Sequence, residues 1–225
     1  MQKSTWHESP EIGLRERKRL KTWTEISETA LVLFIERGFD AVSITEVAAA
    51  ANVSRRTLFA YFPTKEDLVV RRFADHEDEA GRVVRDRRKG VGALTALREY
   101  FLDGIRRHDP FTGCSDLPQV LALYRLLLGT PALGSRLLAF LASGERALTD
   151  ALVERDGLDH NAAQLIAAQV IAVQRTLSEG NYRSIVSGRS AAEVEPEALV
   201  VATLGFDLLQ SGVGRVLRAR ASSTH

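Results

Sequence analysis

SITEVAAAANVSRRTLFAYFP, residues 43–63, is the stretch from which the rest of this chain is read. Ser43 and Glu46 have the spacing of a capping box, in which hydroxyl and carboxylate satisfy free backbone N–H groups reciprocally. A helix therefore opens here and buries Val47, Ala48 and Ala51. It lasts about two turns, because Asn52 tolerates a positive φ and Ser54 already caps another helix. That next helix runs from Arg55 to Phe62, buries Leu58 and Phe62 at i, i+4, and is cut by Pro63. Two short helices thus meet at the tight turn Ala51-Asn52-Val53-Ser54.

Upstream, a longer helix is expected from Arg15 to Arg37, with Trp23, Ile26, Ala30, Leu33 and Phe34 as one apolar stripe and Gly38 as a left-handed stop. Residues 1–14 read as a disordered arm. Downstream, Thr64 caps a helix running to about Asp86. Further helices are expected at Val91–His108, Leu117–Leu128, Pro131–Arg155, His160–Val186 and Pro196–Leu217, with a loop at Gly188–Glu195 before the last. Strand signals are almost absent, so the chain reads as all-α with about nine helices. It divides into a unit at 15–63 and a larger one at 64–225.

The composition fits an ordinary globular protein: 225 residues, 45% hydrophobic, net charge +1. Cys114 is the single cysteine, which excludes an intrachain disulfide and a thiolate zinc site. With no signal-peptide core and no bilayer-spanning run, a cytoplasmic protein without a membrane partner is expected. Charge is uneven: Arg15 to Lys21 carries five basic residues against one acidic, and Arg17 and Lys18 sit in that run. It reads as a solvated helix start or a phosphate-binding patch.

Two short helices behind a longer one are the parts of a helix-turn-helix, whose second helix enters the major groove. Such shapes also occur as plain packing units. The exposed face separates the readings, because Arg55, Arg56, Thr57, Phe59 and Tyr61 have no evident burial role once Leu58 and Phe62 point inward. Adjacent arginines at a helix N-terminus suit guanine edges and phosphates. Thr45 and Lys65 would lie along the flanking backbone, where contacts position rather than specify.

The stretch Ala30-Leu-x-Leu-Phe-x-x-Arg-Gly-Phe-Asp40, followed by Ser43 through Leu68, resembles the TetR/AcrR regulator signature over about residues 17–69. The resemblance implies double-stranded operator DNA as partner, contacted through Ser43, Thr45, Arg55, Arg56, Thr57, Phe59, Tyr61 and Lys65. It also implies a homodimer, a small apolar or amphipathic effector, no cofactor and no enzymatic activity. Phe59 stands where the family usually has tyrosine, which removes a hydroxyl, and Asn52 stands for the usual turn glycine. The Ser-Arg-Arg-Thr-Leu-Phe form, with Gly13-Leu-Arg-Glu-Arg-Lys upstream, is similar to a branch that includes mycofactocin-associated regulators, some of which respond to acyl-CoA.

By the same resemblance, the last two helices are expected to pair with their copies through Leu165, Val170, Val173 and Leu177 on one and Val200, Leu204, Leu208 and Leu209 on the other. An effector cavity is expected among Phe73, Tyr100, Phe101, Phe111, Leu117, Tyr124, Leu128, Phe140 and Gln174. Arg106, Arg107, Arg125 and Arg136 are candidates for an anionic headgroup. Two other readings stay open: an enzyme or carrier with an incidental helix-turn-helix, which no phosphate loop, metal cluster or nucleophile elbow supports, and a DNA-binding protein without an effector.

Overall fold

The computed structural model describes residues 13–71 and 76–221. The arm read at 1–14 lies, up to residue 12, outside the described residues, as does Phe73. Among the described residues there are no strands, and ten α-helices follow in order: α1 Leu14–Arg37, α2 Ile44–Ala50, α3 Arg55–Tyr61, α4 Asp67–Val70, α5 Glu79–Asp86, α6 Ala93–Arg106, α7 Pro118–Gly129, α8 Pro131–Asp156, α9 His160–Val186 and α10 Ala191–Ala221. A 3-10 turn, Pro110–Thr112, links α6 to α7. No single helix among the described residues is long and apolar enough to cross a membrane.

The chain forms two compact units, one ending at residue 72 and the other beginning at 73. In the first, Ile26, Ala30 and Phe34 of α1 close over Val47, Leu58, Phe62 and Leu68. Helix α4 belongs to this unit rather than to the larger one, as the boundary at Pro63 had it. The reason is local: the Ser27 hydroxyl donates to the Leu68 carbonyl at 3.1 Å from a fully buried position, and Val69 and Val70 are buried as well.

The helix expected from Lys65 to Asp86 is two pieces, α4 and α5. Glu77, Asp78 and Glu79 bring three carboxylates together, which suits the start of a new helix rather than the middle of a long one. The loop expected at Gly188–Glu195 is shorter, because Ser190 and Glu193 form a capping box and α10 begins at Ala191. Pro196 therefore lies inside the helix instead of opening it.

In the second unit α9 packs between α8 and α10, while α6 covers the other side of α10. The core joins Leu97, Phe101 and Ile105 of α6, Leu148 and Leu152 of α8, Ile166 and Val170 of α9, and Ala202 and Phe206 of α10. Each large apolar side chain taken out of water here contributes roughly 1.5–3 kcal/mol. Helices α7 and α8 meet at a 99° bend marked by Thr130 and Pro131, so α7 and the first turns of α8 line one side of a partly open space.

Candidate nucleic-acid interface and effector cavity

Three local devices set the geometry of α2 and α3. The Ser43 hydroxyl accepts from the Glu46 amide at 3.2 Å, while the Glu46 carboxylate takes the Ser43 amide at 2.7 Å and the Arg37 guanidinium at 2.6 Å. The backbone N–H of Ser43 first, and the Arg37 guanidinium second, hold the Glu46 carboxyl down at about 2. One carboxylate thereby fixes the start of α2 to the end of α1. The end of α2 is a Schellman turn: Asn52 adopts φ 52°, its amide donates to Ala49, and the Val53 amide donates to Ala48 at 2.9 Å. Ser54 then caps α3 through the Thr57 amide at 3.0 Å.

Helix α3 is anchored by fully buried Leu58, and Phe62, just past its end, stacks on Trp23 with centroids 5.6 Å apart. Its other face carries Arg55, Arg56 and Phe59, all exposed, with half-buried Tyr61 at its end. Neither arginine takes an ion pair or hydrogen bond among the described residues. Thr57 faces the same way, although its hydroxyl shares a hydrogen bond with Ser54 at 2.8 Å. Thr45 is exposed one turn into α2, and Arg17 and Lys18 are exposed on α1.

Two expected contacts are already engaged within the unit. The Ser43 hydroxyl serves the capping box. The Lys65 ammonium donates to the Phe39 carbonyl at 2.5 Å and lies over the rings of Phe39 and Phe34, at 4.4 and 5.6 Å from their centroids. Lys65 therefore ties the segment after α3 to the chain following α1, a role that residue spacing did not disclose.

The second unit holds a partly open cavity of about 190 Å³. Of the residues expected there, Tyr100, Phe101, Phe111, Tyr124, Leu128, Phe140 and Gln174 line it. Leu117 does not: it sits at the N-cap of α7 and is half exposed. None of Arg106, Arg107, Arg125 and Arg136 is on the wall. Each stands on the outer, exposed side of its helix. Sequence reading missed the charged part of the lining, which is His76, Glu77, Glu79, Asp109, Arg175 and Glu179. The run from His76 onward looked like a solvated helix face, and only a buried partner distinguishes it from one. That partner is Tyr100, whose hydroxyl donates to Glu79 Oε1 at 2.6 Å while His76 Nδ1 meets the same oxygen at 2.9 Å. Burial pushes the Glu79 carboxyl up, but the hydrogen bonds from His76 and Tyr100 outweigh it and hold the group below its ordinary value. Burial, followed by the hydrogen bond to Glu79, raises the Tyr100 phenol to about 12, so it remains a donor at neutral pH.

Residues 26–71 match the family described as bacterial regulatory proteins, tetR family. The HTH-type transcriptional regulator TcmR of Streptomyces glaucescens is 27% identical over 194 residues, covering 84% of this chain and 83% of that one. This chain carries a tetR-family domain in its first unit. Its fold is shared with NalD of Pseudomonas aeruginosa, the secondary repressor of the MexAB-OprM multidrug efflux pump, at a TM-score of 0.55 and 18% identity over 83% of this chain and 97% of that one. A mycofactocin biosynthesis regulator of Mycobacterium tuberculosis, MftR, is 40% identical over 60 residues, which is 27% of this chain and 30% of that protein. The match to MftR is too short to carry anything about an effector.

The tetR-family match supports a DNA-binding regulatory role for the first unit. Among the described residues no group of His, Cys, Asp and Glu is placed to hold a metal ion. Cys114 is buried, and its thiol is pushed up to about 11, first by burial and then by the Glu195 charge, so it stays protonated.

The residues expected at a dimer interface separate into two groups. Leu165 (66% exposed) on α9 and Val200 (69%), Leu204 (58%) and Leu208 (66%) on α10 are open to solvent. Val170 and Leu177 are not, and Val173 is half-buried: α9 is covered by α8 on one side and α10 on another, so these side chains fill the unit's own core. Leu209 is likewise buried. A Cβ on Gly205 would stand 3.1 Å from Val173 Cγ1, so α9 and α10 approach closely at this point.

Proposed function

We propose that this chain is a homodimeric repressor that binds a palindromic operator through two copies of α3 and leaves it when a small molecule fills the cavity of the second unit. The observation that carries the reading is the outer face of α3, where Arg55, Arg56 and Phe59 stand exposed without partners on a helix locked from behind by Leu58 and Phe62. Arginine forks at a helix N-terminus match guanine O6 and N7 in the major groove. The phosphates beside them suit Arg17, Lys18, Thr45 and Tyr61. A two-fold dimer formed through the open stripe of α9 and α10 supplies the second half-site reader, because an isologous interface imposes its symmetry on the DNA. Contiguous leucines and valines left in water are the usual mark of such a surface.

Release is a population shift: an effector displaces the protein from DNA only if it binds the DNA-incompetent state more tightly than the competent one. The test is selection of bound fragments from a random DNA pool with the purified protein, followed by gel-shift titration. The selected site should be palindromic. Arg55→Ala should weaken binding by about 5- to 150-fold, the worth of roughly 1–3 kcal/mol, with mass and helicity unchanged. Unaltered affinity would refute the assignment of α3.

A further inference from the structure

The hydroxyls on the cavity wall have already given their protons away. Tyr100 donates to Glu79, Tyr124 to the Pro110 carbonyl at 2.9 Å, Ser178 to the Phe111 carbonyl at 2.7 Å, and Thr112 to the Asp109 carbonyl at 2.7 Å. What the wall still offers is chiefly acceptor capacity. Glu79 uses only Oε1, and Oε2 takes no hydrogen bond from the described residues. The Gln174 carboxamide has no partner there either. Both groups escape the desolvation cost of an unpaired buried atom only because the space beside them is open.

Charge points the same way. On the wall, Glu77, Glu79, Asp109 and Glu179 stand against Arg175 and His76: Glu179 pairs with Arg175 at 3.5 Å and with Arg183, off the wall, at 3.2 Å, and Glu79 pairs with His76. An anionic ligand would meet several carboxylates in a confined space of low polarisability, where like charges repel strongly. The remaining wall is apolar, built from Phe101, Phe111, Phe140, Leu127, Leu137 and Ile171. Its volume of about 190 Å³ suits a body of one or two rings, since an apolar cavity of roughly 150 Å³ holds benzene.

Building on the effector reading above, we infer that the cavity takes a compact aromatic or alicyclic molecule bearing a protonated amine, whose N–H groups bind Glu79 Oε2 and the Gln174 carbonyl. The rings fill the apolar end against Phe101, Leu127, Leu137 and Ile171, and the ammonium completes the polar end. A fatty acyl thioester or a carboxylate drug fails on both counts, because it is acceptor-rich and negative.

The experiment is isothermal titration of the full-length protein at pH 7 with three probes of matched shape: 2-naphthylmethylamine, 2-naphthalenemethanol and 2-naphthoate. The amine should bind at least tenfold more tightly than the carboxylate, with the alcohol between them. Glu79→Gln should cut the advantage of the amine over the alcohol at least fivefold. Should that variant fold poorly, Gln174→Leu serves, and the ranking on the unmodified protein is already decisive. Naphthoate binding as tightly as the amine overturns the inference alone. Absence of binding by all three overturns it together with the effector cavity. The expected ranking without any effect on DNA affinity upholds the inference and overturns only the release step proposed above.

Discussion

Gly113→Ala should damage the second unit while sparing the first. Gly113 closes the 3-10 turn with φ 70°, and a Cβ there would stand 2.0 Å from the Ser178 carbonyl oxygen on α9. An alanine meets two penalties. The left-handed conformation costs about 1–2 kcal/mol for a residue with a Cβ. The turn must also retreat from α9 by more than ~1 Å to reach ordinary van der Waals separation, which strains the bonds that tether it: Ser178 Oγ to the Phe111 carbonyl at 2.7 Å and Asn181 Nδ2 to the Thr112 carbonyl at 2.8 Å. At about 0.5–1.5 kcal/mol each, the total destabilisation comes to roughly 2–5 kcal/mol. Urea titration can locate the loss. Trp23 stacks on Phe62 in the first unit and residues 73–225 carry no tryptophan, so the change in tryptophan fluorescence on unfolding follows the first unit, whereas most of the far-UV circular dichroism follows the second. The dichroism midpoint should fall by about 1–2 M urea with the fluorescence midpoint unchanged. A dichroism shift worth less than ~1 kcal/mol would refute the claim that Gly113 is required by close approach.

Leu204→Glu places a charge in the open stripe of α10, and sedimentation velocity at micromolar concentration should then report a monomer with unchanged helicity; a persisting dimer would move the interface elsewhere. Glu46 has a folded-state pKa of about 2 against an ordinary 4.5, so its contribution is complete above pH ~4.5 and is lost as pH falls through about 2. Acid titration followed by tryptophan fluorescence should show that loss in the wild-type protein and a flatter profile over the same window in Glu46→Gln; superimposable profiles would exclude Glu46 as the tie between α1 and α2.

The helix-turn-helix was legible because its determinants are local. A capping box, a residue able to adopt positive φ, a second cap and a proline fix α2 and α3 within some twenty residues, and each sits where the spacing placed it. The cavity was half legible. Aromatic residues at helical spacing named Tyr100, Phe101 and Phe140, but nothing in the run His76-Glu77-Asp78-Glu79 says that a tyrosine from another helix will bury one of its carboxylates. Only part of the expected dimer stripe is open to solvent, for a geometric reason. Val170 and Leu177 are as apolar as Leu165, yet α9 is sandwiched, and hydrophobicity alone does not reveal which of its apolar faces a neighbouring helix has already taken. The late capping box at Ser190 was readable in principle and was masked by the stronger expectation that Pro196 opens a helix.

The position of Lys65 bears on how loss-of-function alleles should be interpreted. On the repressor reading proposed above, a genetic screen for derepressed colonies would recover changes at both Arg55 and Lys65, and on a plate they would look alike. At Arg55 the defect is one of reading, and it persists at every growth temperature. At Lys65 the lost ammonium leaves a carbonyl and two ring faces without their shared partner, so the defect is one of assembly: worse in warm cultures, relieved in cool ones, and accompanied by a lower cellular level of the protein. Alleles at the two positions would thus sort by temperature before any DNA is labelled.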